Sequence, residues 1–136
     1  MLAIEFEVSQ LIPAMPEAIY QAWLSSEGHT AMTGSPATAS DAVGEAFEAW
    51  DGYIQGRNLE LEAPKRIVQS WRTAEFEASE EDSRLEILLT PQGEGTLVTL
   101  RHSQLPEQGM QYKQGWVDSY FLPMLAFFGE GAEESG

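Results

Sequence analysis

From residue 37 to about residue 103 the chain is broken repeatedly by turn formers: Gly44, Asp51-Gly52, Gly56, Ala63-Pro64, an acidic segment at 78–83 and Gly93-Glu94-Gly95. The runs between them are short and carry strand-like patterning, with alternation plainest in the last two. They predict strands at 37–41, 45–50, 53–62, 66–74, 83–90 and 96–103. Leu85, Ile87 and Leu89 share one face, as do Val98, Leu100 and His102. Asp51-Gly52, set between Trp50 and Tyr53, predicts a tight two-residue hairpin, because a type I′ turn needs positive φ at both central positions. Consecutive strands joined by such short turns pair antiparallel.

Two helical regions flank this block. Residues 2–8 alternate, with Leu2, Ile4, Phe6 and Val8 on one side, and predict a seventh strand that Pro13 ends. Pro16 then opens a helix at a position where its missing N–H is no loss. Ile19 with Trp23 and Tyr20 with Leu24 give it an apolar stripe. A serine near residue 25 caps a second short helix, closed by Gly34 and Pro36. A last helix spans about 109 to 128, with Tyr112, Trp116, Tyr120 and Met124 on one broad stripe. Pro123 crowds the carbonyl of Ser119 and predicts a kink. The fold class is α+β, with the C-terminal helix covering one face of an antiparallel sheet. Residues 1–128 read as a single domain and 129–136 as a flexible acidic tail.

The chain has 136 residues, a length suited to one domain, and 22 acidic against 7 basic residues, a net charge of −15. That balance argues against a nucleic-acid partner and against anionic membranes. No apolar run reaches the roughly 20 residues of a membrane span, and no charged leader with an apolar core opens the chain. The expected location is the cytoplasm. With no cysteine, disulfides, thiolate nucleophiles and Cys-ligated zinc are excluded. The acidic cluster Glu75, Glu77, Glu80, Glu81, Asp82 and Glu86 reads as a solvated face, or alternatively as a docking patch for a basic partner.

Several blocks together are similar to a known family: Ile12-Pro13-Ala14 with Ile19-Tyr20-Gln21-Ala22-Trp23, Met32-Thr33-Gly34, Gly44 with Phe47 and Trp50-Asp51-Gly52-Tyr53-Ile54, Ile67 to Arg72, Gly95 to His102, and Gly115-Trp116 with Tyr120. The chain resembles homologues of the activator of the 90-kDa heat-shock protein ATPase, within the START-like helix-grip superfamily (SRPBCC, birch-pollen-allergen-like). The resemblance implies a seven-stranded antiparallel sheet curved around the long C-terminal helix, with two short helices after the first strand. It also implies a cavity between helix and sheet, in which many members hold lipids, hormones or polyketide-like molecules. The eukaryotic activators have a further N-terminal domain, which this chain is expected to lack.

Three functions follow as expectations. The first is binding of a small hydrophobic or amphipathic molecule, entering near the Asp51-Gly52 hairpin, the short helices and the start of the last helix. Its cavity-lining candidates are Met32, Phe47, Trp50, Tyr53, Trp71, His102, Tyr112, Trp116 and Tyr120. Tyr and Trp bring bulk and a polar handle that needs a partner when buried. Arg72 and Lys113 are candidate polar anchors at the mouth, and Glu48 and Glu60 candidate neighbours of Arg57 or Arg72. The second function is a chaperone accessory. The third is a cyclase- or dehydratase-like enzyme, for which His102 is the best candidate acid or base and His29 a weaker one. A non-enzymatic role is favoured: there is no G-x-S-x-G elbow, no HExxH pair, and no catalytic, cofactor or metal set. A monomer or weak homodimer is expected, and an acidic shell favours neutral or amphipathic ligands over anionic lipids.

Overall fold

The structure, a computed structural model, describes residues 4–135, and the side-chain surroundings of residues 4–129. Six strands, β1 (Ile4–Ile12), β2 (Ala46–Ala49), β3 (Ile54–Glu62), β4 (Arg66–Thr73), β5 (Ser83–Gln92) and β6 (Gly95–Leu105), form one sheet in the order β1-β6-β5-β4-β3-β2. Every pairing is antiparallel. Two helices, α1 (Pro16–Trp23) and α2 (Ser26–Thr33), connect β1 to β2 at the far edge. The chain ends in a continuous helical run: a 3₁₀ turn (Glu107–Met110), α3 (Gln111–Trp116), a π turn (Val117–Phe121) and α4 (Leu122–Ser135).

The sheet has six strands where seven were expected. The segment 37–41 makes only one bridge, with Thr38 and Glu48 exchanging N–H···O bonds of 2.9 Å. Side chains take much of its remaining backbone polarity. Ser26 Oγ donates to Ala39 O and accepts from Ala39 N–H, Thr30 Oγ1 does the same for Ala37, and Asn58 Nδ2 donates to Ser40 O and Ala42 O. Backbone groups already captured by side chains are not free to build a ladder.

The hairpin also differs from expectation. Ala49 pairs with Ile54, so the connection is the four residues 50–53 rather than two. Trp50, Asp51 and Gly52 all have positive φ, 53°, 57° and 87°. A bulky residue in the left-handed region is costly, and here Trp50 leaves the strand to take it. Gly56 is demanded by packing: a Cβ there would stand 1.8 Å from Ser70 O and 2.5 Å from Phe47 Cε1.

In the helices the local chemistry follows the sequence. Pro16 opens α1, Ser25 Oγ accepts from Gly28 N–H at 3.1 Å, and Gly34 (φ 83°) ends α2. Pro123 has no N–H for the carbonyl of Ser119, and the helix widens into the π turn just upstream of it. Helix continues to Ser135, beyond the expected end at 128. Leu2 of the first strand and the side chains of the expected acidic tail from 130 onward lie outside the described residues.

The core lies between the sheet and the C-terminal helix, where Ile87, Leu100, Phe121 and Met124 are buried. A buried polar chain crosses it. Trp23 Nε1–H donates to Gln69 Oε1 (3.3 Å), Gln69 Nε2 donates to Asn58 Oδ1 (2.8 Å), and Asn58 carries the two carbonyls of 40–42. Each amide is thus partnered, as burial requires. The solvent side carries ion pairs: Arg66 with Glu60, Glu62 and Glu86, Arg84 with Glu60, and Arg101 with Glu7 and Glu86. Glu60 therefore pairs with Arg66 and Arg84 rather than with Arg57 or Arg72.

Candidate functional site

A cavity of about 420 Å³ opens between the hairpin, β4 and the C-terminal helix. Trp50, Tyr53, Trp71, Tyr112, Trp116 and Tyr120 line it, with Ile54, Gly115 and Ser119. Its size falls in the range typical of small-molecule sites, roughly 300–1,000 Å³. The helical part of the lining follows from one face: 112, 115, 116, 119 and 120 recur at three- and four-residue spacing. Large rings at 112, 116 and 120 wall the space, and small residues at 115 and 119 leave it empty. A Cβ at Gly115 would meet no atom within 4 Å.

The rings form a connected arc. Centroid distances are 6.4 Å for Trp50–Tyr120, 4.8 Å for Tyr120–Trp116, 5.6 Å for Trp116–Trp71 and 4.9 Å for Trp71–Tyr112. Successive planes are turned by 74°, 48°, 44° and 76°. Neighbours meet tilted or edge-on, the arrangement aromatic quadrupoles favour.

Behind this wall His102 is fully buried on β6. Its hydrogen bonds admit one tautomer. Ser83 Oγ–H donates to Trp71 O at 2.7 Å, so Ser83 Oγ must accept from His102 Nε2–H at 2.8 Å. His102 Nδ1 then accepts the Trp116 indole N–H at 3.0 Å. Burial pushes the imidazole down to about 3, so it is neutral at physiological pH. His102 does not line the cavity. It joins two wall residues, Trp71 and Trp116, and the expectation of a cavity-facing acid or base is corrected to one of support.

His29 supports the other end. Nδ1–H donates to Trp23 O at 2.9 Å, so Nε2 accepts from the Tyr120 hydroxyl at 2.8 Å. Burial lowers the His29 pKa against the opposing carbonyl contact, and burial raises that of Tyr120 well above the usual phenol range. Trp50 Nε1 is buried with no hydrogen-bond partner. The Tyr120 oxygen is near enough to feel that N–H, which opposes part of its shift, without accepting a hydrogen bond from it.

At the outer end the Tyr53 hydroxyl donates to Glu75, and the Tyr112 hydroxyl shares a 2.7 Å bond with Thr73 Oγ1. Burial raises both tyrosine pKa values. The Glu75 carboxylate adds to both, and Glu80 adds to that of Tyr112.

The remaining expected residues lie elsewhere. Met32 is buried in the core. Phe47 and Arg72 border a separate depression with Gly56 and Asp82. Arg72 follows the inward Trp71 and, by strand alternation, faces away from it. Its guanidinium is engaged by Asp82 (2.9 Å) and the carbonyls of Glu77 and Glu80, both at 3.0 Å. Lys113 is exposed on α3 and is not part of the lining. Neither cation anchors the cavity. Gly115, Ser119, Thr73 and Glu75 were missed. The helical spacing pointed to the first pair, whereas the second required knowing how β4 ends.

Among the described residues no group of three or more His, Cys, Asp or Glu is placed to hold a metal, and no helix is long and apolar enough to cross a membrane. The family described as Activator of Hsp90 ATPase homolog 1-like protein matches residues 13–122. A human protein, Activator of 90 kDa heat shock protein ATPase homolog 1, is 33% identical over 121 residues, which cover 86% of this chain and 35% of that protein. The chain thus spans about a third of that relative's length. Among solved structures, an HSP90 activator from Plasmodium falciparum superposes with a TM-score of 0.83 at 23% identity, over 93% of this chain and 96% of that one. The Aha1 dimer from Colwellia psychrerythraea gives 0.74 at 18% identity, over 92% and 93%. At these identities the structural likenesses establish the fold.

Proposed function

The chain belongs to the activator of Hsp90 ATPase homolog 1-like family, and from that premise we propose that it binds a small hydrophobic or amphipathic molecule in the aromatic cavity beside its C-terminal helix. One observation carries this reading. A cavity of about 420 Å³ stays open between six large aromatic side chains, because Gly115 and Ser119 occupy the helix positions facing it. Core packing alone would close such a space, since voids forfeit contacts on every side. The buried Trp50 N–H adds a donor that a ligand acceptor would satisfy. The test is titration with a neutral solvatochromic dye, followed by its own emission and by tryptophan quenching. Saturation at one dye per chain is expected. No binding, or a diffuse multi-site response, would sink the reading.

A second reading, an accessory to a 90-kDa heat-shock chaperone, draws on the names of the human and Plasmodium relatives. Its test is a low-salt pull-down with the host's own chaperone and a measurement of the chaperone's ATPase rate. Absence of both binding and a rate change would remove it. A monomer or weak dimer in the cytoplasm remains the working expectation for both readings.

A further inference from the structure

We propose that the preferred ligand is an organic cation, a quaternary or alkylated ammonium carried on a short apolar chain. This rests on the ligand-binding reading and names the ligand's class. Five rings, Trp50, Tyr120, Trp116, Trp71 and Tyr112, follow one another around the cavity with successive planes turned by 44° to 76°. Tyr53 adds a sixth at the mouth. A wall of tilted π systems offers negative ring faces in several directions, the arrangement that recognises alkylammonium groups.

Charge near the site has the matching sign. Glu75 accepts the Tyr53 hydroxyl at the outer end, and its carboxylate and that of Glu80 act on Tyr112. Lining residues include no Lys or Arg. Arg72 is held by Asp82 and two carbonyls, and Lys113 stands exposed outside the lining. An anionic ligand would enter an acidic, electron-rich space with nothing to neutralise it. A cation finds ring faces within and carboxylates without, on a chain whose net charge is −15. The cavity exceeds what a methylated ammonium head fills, so the apolar chain takes the remainder against Ile54 and Trp71.

The test is calorimetric titration with butyrylcholine, with its neutral carbon isostere 3,3-dimethylbutyl butyrate, and with hexanoate. The cation is expected to bind about tenfold tighter than the isostere, the advantage of a desolvated cation–π contact. Hexanoate is expected to bind weakest. Glu75→Gln keeps an acceptor for Tyr53 at an exposed position. It should weaken butyrylcholine and leave the isostere unchanged, and added salt should act in the same direction. Parity between cation and isostere, or no cation binding, overturns the inference. Binding of the neutral dye in the same sample then shows that the cavity reading survives. If the dye fails as well, both readings fall.

Discussion

The Trp116 indole N–H donates to His102 Nδ1 across 3.0 Å, and so fixes which imidazole nitrogen carries the proton. Nδ1 is an acceptor and Nε2 a donor, and the order cannot be reversed, because an indole nitrogen never accepts. Protonating His102 would set two N–H groups against each other just behind the cavity wall.

Acid should therefore loosen the fold. His102 titrates near 3 in the folded protein and near the ordinary histidine value when unfolded, and His29 is also depressed by burial. Between these values the unfolded chain holds the extra proton, so stability rises with pH and falls on acidification from about 6.5 toward 3. His102 adds a slope of up to about 1.4 kcal/mol per pH unit in that window, and His29 acts in the same direction. Urea denaturation between pH 7 and pH 4.5 measures it. A His102→Gln variant, less stable at pH 7, should show a shallower slope, and an unchanged slope would contradict the assignment.

Gly115 separates the cavity from the fold. In Gly115→Ala the new methyl points into empty space, and helix propensity improves, so the protein should gain about 0.5–1 kcal/mol in chemical denaturation. Gly115→Phe should fill the cavity and lower dye affinity at least about tenfold while the chain stays folded by circular dichroism. Full dye binding by Gly115→Phe would place the ligand elsewhere.

Trp50→Phe removes a buried N–H that has no partner and keeps most of the ring. Deleting an unsatisfied donor is close to neutral, so the ligand-free protein should change by less than about 1 kcal/mol. Ligands with an acceptor should lose affinity, and those without one should not. A large loss of stability would mean that the N–H is satisfied in solution.

Asn58→Ala breaks the buried amide chain at its midpoint. It strands Gln69 Nε2 and two carbonyls at 40 and 42. The expected cost is about 2–4 kcal/mol, the range for leaving buried polar groups unpaired and a cavity behind. Hydrogen exchange should quicken first in residues 37–43, whose backbone is held mainly by side chains.

The sequence revealed most where a single physical requirement governed the choice of residue. Leu85, Ile87 and Leu89 alternate because one face of β5 is buried, and 112, 116 and 120 recur because one helix face walls the cavity. Ser25 and Gly34 mark the ends of α2 through their own backbone and side-chain chemistry. Legibility failed where distant groups compete. Residues 37–41 alternate like a strand, yet Ser26, Thr30 and Asn58 capture their backbone groups. His102 shares a face with Val98 and Leu100, which suggested a view of the cavity, but Trp116 stands in front of it. Arg72 is turned outward by strand alternation and held by a loop five to ten residues ahead, which periodicity does not reveal. Trp50 reads as the last residue of a strand, while the structure spends it on a left-handed turn.

The π turn at Val117–Phe121 is in effect a one-residue insertion absorbed by a helix. The helix presents Tyr112 and Trp116 to the cavity upstream of the turn, Ser119 and Tyr120 from within it, and downstream it buries Met124 in the core. Losing one residue within 117–121 would restore plain α-helix and rotate everything beyond by about 100°, carrying Met124 off its seat. Cavity and core thus share one helix, and the length of this single turn sets the gearing between Trp116 on one side of it and Met124 on the other.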